Sequence, residues 1–157
     1  MTSMKDRLRS ERGAELIEFA LVVPMLLLIL LGIADFGFMF QRYEVLTNAA
    51  REGARIAVLP NGGGTYSTSD VQMRVCSYLT TGGVPTTGCP TPTNPVILVT
   101  DTTVPLTGGV TLPARRVEVT YSHSYLFVGG IAGLFNGTFT TTFPITVVAI
   151  MRSEVGP

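Results

Sequence analysis

The feature that most constrains this chain is an apolar run of 22 residues, from Phe19 to Phe40, in which Asp35 is the only charge. A helix of that length spans about 33 Å, and the hydrocarbon core of a membrane is about 30 Å thick. Leu, Ile, Val and Met surround its whole circumference, whereas the core helix of a soluble domain has one apolar stripe. The run therefore favours a transmembrane helix over the alternative, a buried core helix. We expect Asp35 near the outer boundary of the span or paired within an assembly.

The rest of the composition excludes several classes of function. Eleven basic side chains balance 11 acidic ones and only 14% of residues are charged, which excludes nucleic-acid binding by the whole chain and an acidic disordered tail. One His, two Cys and no Trp are little material for a metal site or a nucleophile–base pair. His123 has Ser122 and Ser124 on the opposite face of a predicted strand, so it forms no triad and is expected to be packed or at an edge. We predict a protein that is not an enzyme and has no cofactor or metal.

The residues that flank the apolar run predict its orientation. The first 13 residues carry a net charge of +2, which favours a cytoplasmic N terminus. The C-terminal part would then lie outside the inner membrane. Three Arg that follow the run weaken this argument, but two Glu are interleaved with them. Cys76 and Cys89 fall in this exported part, where an oxidising compartment favours a disulfide closing a 14-residue loop. Two unpaired cysteines are the alternative.

The N terminus does not match an ordinary secretory signal, because the apolar run is too long and no small-x-small site follows it before Gln41. A different pattern precedes the run: Arg12-Gly13-Ala14-Glu15-Leu16-Ile17-Glu18-Phe19. It resembles the type IV prepilin motif, in which a peptidase cuts after Gly and Glu is the fifth mature residue. Counted from Ala14, Glu18 is fifth and Phe19 is sixth, an aromatic residue as in the Tad branch of that superfamily. A plain signal anchor with a chance Gly and Glu is the alternative.

This motif has a physical basis at a membrane surface. Gly13 lets the backbone before the scissile bond enter a peptidase without a side-chain clash. The Glu18 carboxylate is unfavourable at the membrane edge unless it is paired. Its expected partner is the freed amine of Ala14 in a neighbouring subunit.

Two further segments extend the resemblance to TadE-like proteins. Asn48-Ala49-Ala50-Arg51-Glu52-Gly53-Ala54-Arg55 follows the membrane helix as it does in that family, and residues 116–154 look like the end of that family. Residues 60–113 show no family pattern. TadE-like proteins are minor pilins or pseudopilins of the Tad (tight adherence) pilus and secretion system.

The resemblance implies processing by a prepilin peptidase after Gly13 and a structural role in pilus assembly, secretion or surface adherence. It implies a single-pass protein of the bacterial inner membrane, with a surface pilus as a further destination. The implied partners are the prepilin peptidase, other Tad pilins or pseudopilins, the inner-membrane assembly platform and the lipid bilayer, with no nucleic acid. An uncleaved single-pass anchor that presents an extracytoplasmic binding domain is the alternative.

Hydrophobic periodicity predicts an α+β fold, in which a long N-terminal transmembrane helix continues into an amphipathic helix that packs against a small antiparallel sheet. The predicted parts are a cytoplasmic leader at 1–13, a helix at 14–59 with its transmembrane part at about 17–40, and an extracytoplasmic head at 60–157. Pro24 is expected to kink the helix without ending it.

Small residues repeat in the second half of the predicted helix. Ala49, Gly53 and Ala57 have a spacing that permits another element to approach closely. We expect this face to pack on the chain's own sheet, and helix–helix contact with a neighbour is the alternative.

Local signals divide the predicted head. Asp70 is expected to cap a short helix that runs to about Leu79. Apolar runs and alternation predict strands at 96–100, 115–127 and 138–151. Asn136-Gly137 predicts a hairpin turn, and Pro144 is expected to put the last strand on an edge or at a bulge.

Overall fold

The computed structural model describes residues 4–62, 64–127 and 142–153, with side chains from residue 13 onward. Its elements are α1 (Met4–Ala57), β1 (Pro60–Asn61), β2 (Gly64–Thr65), α2 (Thr68–Thr81), β3 (Val96–Pro105), β4 (Thr111–Ser124) and β5 (Thr142–Arg152). The α+β fold is as predicted: a long apolar N-terminal helix, a short helix and small antiparallel sheets.

The described residues fall into two compact units. The first, called the helix unit here, contains the chain up to Gly37 together with Tyr125–Phe127. The second, called the head unit, contains the described residues from Phe38 to Ser124 and from Thr142 to Ser153. Of the described elements, α1 alone contains residues of both units.

α1 is an unbroken helix of 54 residues that includes Pro24. Pro24 has no backbone N–H, yet it does not end the helix, as predicted. α1 starts at Met4, so the described part of the predicted leader is helical as well. Beyond its end, β1 and β2 form a two-stranded antiparallel ladder. Gly62 in the turn has φ +59°, a left-handed conformation that glycine adopts without steric cost.

The predicted cap of α2 is wrong, because Ser67 and not Asp70 is the N-cap. Ser67 has an extended backbone, with φ −64° and ψ 157°, and its Oγ accepts the Asp70 N–H at 3.2 Å. The Ser67 hydroxyl in turn donates to the Asp70 carboxylate at 2.6 Å. Asp70 therefore lies in the first turn, where a negative charge interacts favourably with the helix dipole.

The main sheet has three antiparallel strands in the order β3-β4-β5. β3 is longer than the predicted strand, because its polar second half pairs with the start of β4 as far as Pro105 opposite Thr111. β5 is an edge strand, as Pro144 predicted. The predicted hairpin turn at Asn136-Gly137 and the start of the predicted last strand lie outside the described residues.

The core of the head unit lies between the second half of α1, α2 and the inner face of the sheet. α1 contributes mainly small side chains, whereas α2 and the strands contribute larger ones. Its buried members include Leu46, Ala49, Ala50, Ala54 and Ala57 of α1, Val71, Val75 and Leu79 of α2, and Val117, Val119, Ile145 and Val147 of the sheet. Full burial of each larger apolar side chain contributes about 1.5–3 kcal/mol.

The small-residue face of α1 packs within the chain, as predicted, but against α2 as well as against the predicted sheet. Ala49, Gly53 and Ala57 are all buried within the head unit. A Cβ added at Gly53 would overlap the Val75 side chain of α2 and lie 3.4 Å from Cγ1 of Val117 in β4. Glycine at this position therefore sets how closely α1 approaches its neighbours.

Covalent and ionic links fix α2 within the head unit. A disulfide joins Cys76 of α2 to Cys89, with the Sγ atoms 2.16 Å apart. Glu52 of α1 pairs with Arg55 and with Arg74 of α2, each at 3.0 Å. Hydrogen bonds from Arg55, followed by those from Arg74, lower the pKa of Glu52 to about 2, although burial acts to raise it. The carboxylate therefore stays ionised at neutral pH and links α1 to α2.

We predict that Gly53→Ala destabilises the head unit, although Ala is favoured over Gly in a helix by about 1 kcal/mol. The added methyl group meets Val75 and Val117 in a packed core, and such overpacking costs about 1–3 kcal/mol. Urea denaturation of the full chain in detergent, monitored by circular dichroism, measures the difference in the free energy of unfolding. Gly37→Ala is the control, because a Cβ there has no described atom of another element within 4 Å. Equal stabilisation by both substitutions would contradict the proposed tight contact.

Candidate functional site

The first part of α1 exposes nearly all of its large apolar side chains. From Leu16 to Phe40 those on the surface are between 44% and 71% exposed. The stretch Gly13–Ala57 holds an 18-residue window of mean hydropathy 2.8, with none of that window buried inside the chain. Such a contiguous apolar surface marks an interaction with lipid or with other chains. This long apolar helix fits a single-pass membrane anchor.

The predicted processing residues lie together at the start of this surface. Gly13, Ala14, Glu18 and Phe19 are on continuous helical backbone. Ala14 and Glu18 are four residues apart and share one face of the helix. Glu18 is exposed, and no hydrogen bond or ion pair joins it to other described residues. Its carboxylate is therefore available to a group from outside the described chain.

Asp35, the one charge in the apolar run, is buried and is only 1% exposed. Its Oδ1 accepts the Leu126 N–H at 3.0 Å, and its Oδ2 accepts the Phe127 N–H at 3.0 Å. These bonds lie within the helix unit and fix the chain that follows β4 onto α1. Burying a carboxyl group without hydrogen bonds is costly, and these backbone donors offset that cost.

The binding partners of Asp35 are what sequence reasoning missed. A lone carboxylate in an apolar run indicates a paired group, and we expected a boundary position or a partner in an assembly. In the structure, backbone N–H groups of the same chain bind the carboxylate, 91 and 92 residues farther along. Every residue except proline carries such a donor, so Leu126 and Phe127 bear no recognisable signal.

A comparison with protein families identifies part of this helix. Residues 13–55 match the family model described as TadE-like protein. The chain thus carries a TadE-like segment. The predicted resemblance is confirmed over these residues. No curated protein and no solved structure gives a significant match to the chain.

The TadE-like segment begins at Gly13 and ends two residues before the end of α1. It therefore contains both the exposed apolar surface and most of the small-residue face that packs in the head unit. The match covers less than half of the chain, so the likeness to TadE-like proteins is shown for this segment. Asp35 lies inside the segment, whereas Leu126 and Phe127 lie outside it.

The remaining candidates from the sequence are His123 and groups of possible metal ligands. His123 is buried, and its ring centre lies 6.4 Å from that of Tyr121. It is thus a packed residue, as predicted. Across the described ranges, no group of three or more His, Cys, Asp or Glu side chains could hold a metal ion.

We predict that Asp35→Leu releases the backbone at Leu126 and Phe127. Hydrogen bonds to a charged group contribute about 1.5–3 kcal/mol, so amide exchange there should accelerate about tenfold or more. Asp35→Asn keeps one acceptor oxygen and should have a smaller effect. Hydrogen–deuterium exchange with mass spectrometry on the full chain in detergent measures these rates. The control is Glu44→Gln, which changes an exposed carboxylate on the same helix. Equal exchange rates in all variants would refute the proposed contact between Asp35 and the two N–H groups.

Proposed function

We propose that this chain is a minor pilin or pseudopilin of a Tad pilus system. The observation that carries the proposal is the TadE-like match at residues 13–55. The exposed apolar surface of α1 supports it, because such a helix must be covered by lipid or by other helices. In this role the chain is held in the bacterial inner membrane with a cytoplasmic N terminus. Its head lies outside and acts as a structural subunit in pilus assembly or in secretion and adherence.

A prepilin peptidase cleaves after Gly13 in this proposal. The Gly13–Ala14 bond lies inside α1 of the intact chain, so the helix has to open locally before the bond is exposed. Glycine weakens a helix by about 1 kcal/mol relative to alanine. Gly13 therefore favours opening at the bond to be cut, and the start of the family match at this residue supports the position.

Cleavage also changes what holds the helix in the membrane. The leader carries four of the chain's 11 basic and two of its 11 acidic residues, so the mature chain keeps seven basic and nine acidic residues. Basic residues on the cytoplasmic side resist transfer through the bilayer, because each charge is costly at its centre. Removal of the leader therefore frees the apolar helix to leave the membrane and pack among the helices of a pilus.

Glu18 provides the contact between subunits. Cleavage creates a positive amine at Ala14, and in an apolar helix bundle this amine requires a negative partner. Glu18 is exposed and forms no ion pair with the described chain. It binds the Ala14 amine of a neighbouring subunit and so sets the stagger between adjacent helices.

We predict a mature N terminus at Ala14 in a host that has a prepilin peptidase. Gly13→Leu should leave the chain at full length, because a bulky side chain hinders entry of the backbone into the peptidase. Mass spectrometry of the membrane-extracted chain measures the N terminus. A wild-type chain that keeps residues 1–13 would instead favour an uncleaved anchor presenting an extracytoplasmic binding domain.

We predict that Glu18→Ala reduces recovery of the chain in sheared pili about tenfold or more, because it leaves the neighbour's amine buried without a partner. The amount in the membrane fraction should not change, since the apolar run is intact. Glu15→Ala is the matched control, because Glu15 is an exposed carboxylate one turn earlier. Immunoblots of sheared pili and membranes compare the two variants, and normal recovery of Glu18→Ala would overturn the ion-pair assignment.

A further inference from the structure

The two edges of the main sheet differ in how they are protected. An open edge presents unpaired backbone groups on which another strand can assemble. At the β3 edge, Gln72 of α2 donates from Nε2 to the C=O of Ile97 at 3.0 Å. Among the described elements, β5 pairs only with β4, and its other side is open.

Hydrogen bonds around β4 show which backbone groups of β5 face this open side. In an antiparallel pair, successive residues alternate between bonding to the partner strand and pointing away from it. Ser153 donates its N–H to the C=O of Pro113 at 2.9 Å, which places the odd-numbered residues of β5 in the bonded pairs. Ser122, opposite Pro144, instead directs its N–H and C=O to the side chain of Asn94. The even-numbered residues of β5 therefore point their backbone groups outward.

The residues that carry these outward groups lack the features that usually prevent another strand from pairing with a sheet edge. Pro144 has no N–H to offer, but Thr146, Val148 and Ile150 each direct an N–H and a C=O to the open side. The seven residues Ile145–Met151 contain no charge and no proline. Natural edges are commonly blocked by Lys, Pro or bulges, and an uncharged β-branched edge of this kind promotes pairing with another chain.

A groove of about 460 Å³ follows the open edge between β5 and α1. Tyr43, Thr47 and Arg51 of α1 line one side, and residues 146–151 line the other. The three α1 residues are four apart, so they form one row along the helix. A strand added to β5 would place alternate side chains over this groove, because the side chains of a strand point alternately to its two faces.

Arg51 gives the groove a charge preference. It is exposed and makes no ion pair with any described residue, whereas Arg55, Arg74, Arg115 and Arg116 are all paired. A carboxylate on the incoming strand would meet this guanidinium. A second copy of β5 fits less well, because Thr142–Arg152 contains no acidic residue.

We propose that β5 accepts an extended strand from a different polypeptide. The strand pairs through its backbone with Thr146, Val148 and Ile150. On one face it directs polar side chains, including a carboxylate, toward Arg51 in the groove. On the other face it places β-branched side chains beside Val148 and Ile150, which are 45% and 50% exposed. This site depends on neither cleavage after Gly13 nor membrane insertion.

A labelled peptide tests the proposal on the full chain in detergent. The probe is a nine-residue fluorescein-labelled peptide in which Val alternates with Thr, with Glu replacing one Thr and a Gly-Ser tail for solubility. We expect saturable binding by fluorescence anisotropy. Val148→Pro removes one outward N–H while keeping the bonds to β4, as Pro144 does, and should weaken binding about tenfold. Val148→Thr keeps the N–H and should bind like the wild type.

Two further comparisons test backbone pairing without relying on a folded variant, and test the charge contribution of Arg51. A peptide N-methylated at the pairing residues should not bind the wild-type chain, and this result holds even if Val148→Pro fails to fold. Arg51→Gln should weaken binding of the Glu peptide but not of its Gln counterpart. Absence of saturable binding, or equal binding of the methylated peptide, would overturn the proposal. A dimer that competes with the peptide in sedimentation experiments would assign the edge to a second copy and overturn it as well.

Discussion

The close approach of α1 to α2 and β4 at Gly53 is the contact on which the head unit depends. Val75 and Val117 occupy the space that a side chain would need there. Because α1 contributes small residues along this face, the larger apolar side chains come from α2 and the sheet. The disulfide and the Glu52–Arg74 pair help to hold α2 in this position.

The same helix has a different character on either side of Gly37. Before that residue its surface is rich in Leu, Ile and Phe and is exposed, whereas after it the inward face is rich in Ala and is buried. Large exposed side chains suit lipid or neighbouring helices, and small buried ones suit close packing within one chain. One continuous α-helix thus exposes large apolar side chains in its first half and buries small ones in its second. Asp35, just before the change, attaches the chain that follows β4 to the first half.

Sequence reasoning succeeded where the signal is local and repeated. The apolar run, the small residues at Ala49, Gly53 and Ala57, and the edge position implied by Pro144 follow from composition and spacing. The cap of α2 could not be assigned in this way, because Ser67 and Asp70 are both good capping residues and the choice depends on where the preceding chain turns.

Long-range pairing was the other source of error. The second half of β3 is polar and carries little strand signal, and it is a strand because β4 lies beside it. The Asp35 carboxylate binds backbone groups more than 90 residues away, which no spacing rule identifies. Such contacts are decided by the assembled fold and not by the segments that make them.

The described residues differ in whether their polar groups and apolar surfaces find partners within the same chain. Within the head unit, many polar groups are paired: Gln72 donates to one carbonyl at the β3 edge, and four arginines form ion pairs. Glu18, the apolar surface of α1 and the β5 edge beside Arg51 have no such partner among the described residues. A bilayer would cover the apolar surface, but it supplies no backbone groups for β5. Another polypeptide chain can supply these groups, so the β5 edge, unlike the apolar surface, distinguishes contact with a second protein from contact with lipid.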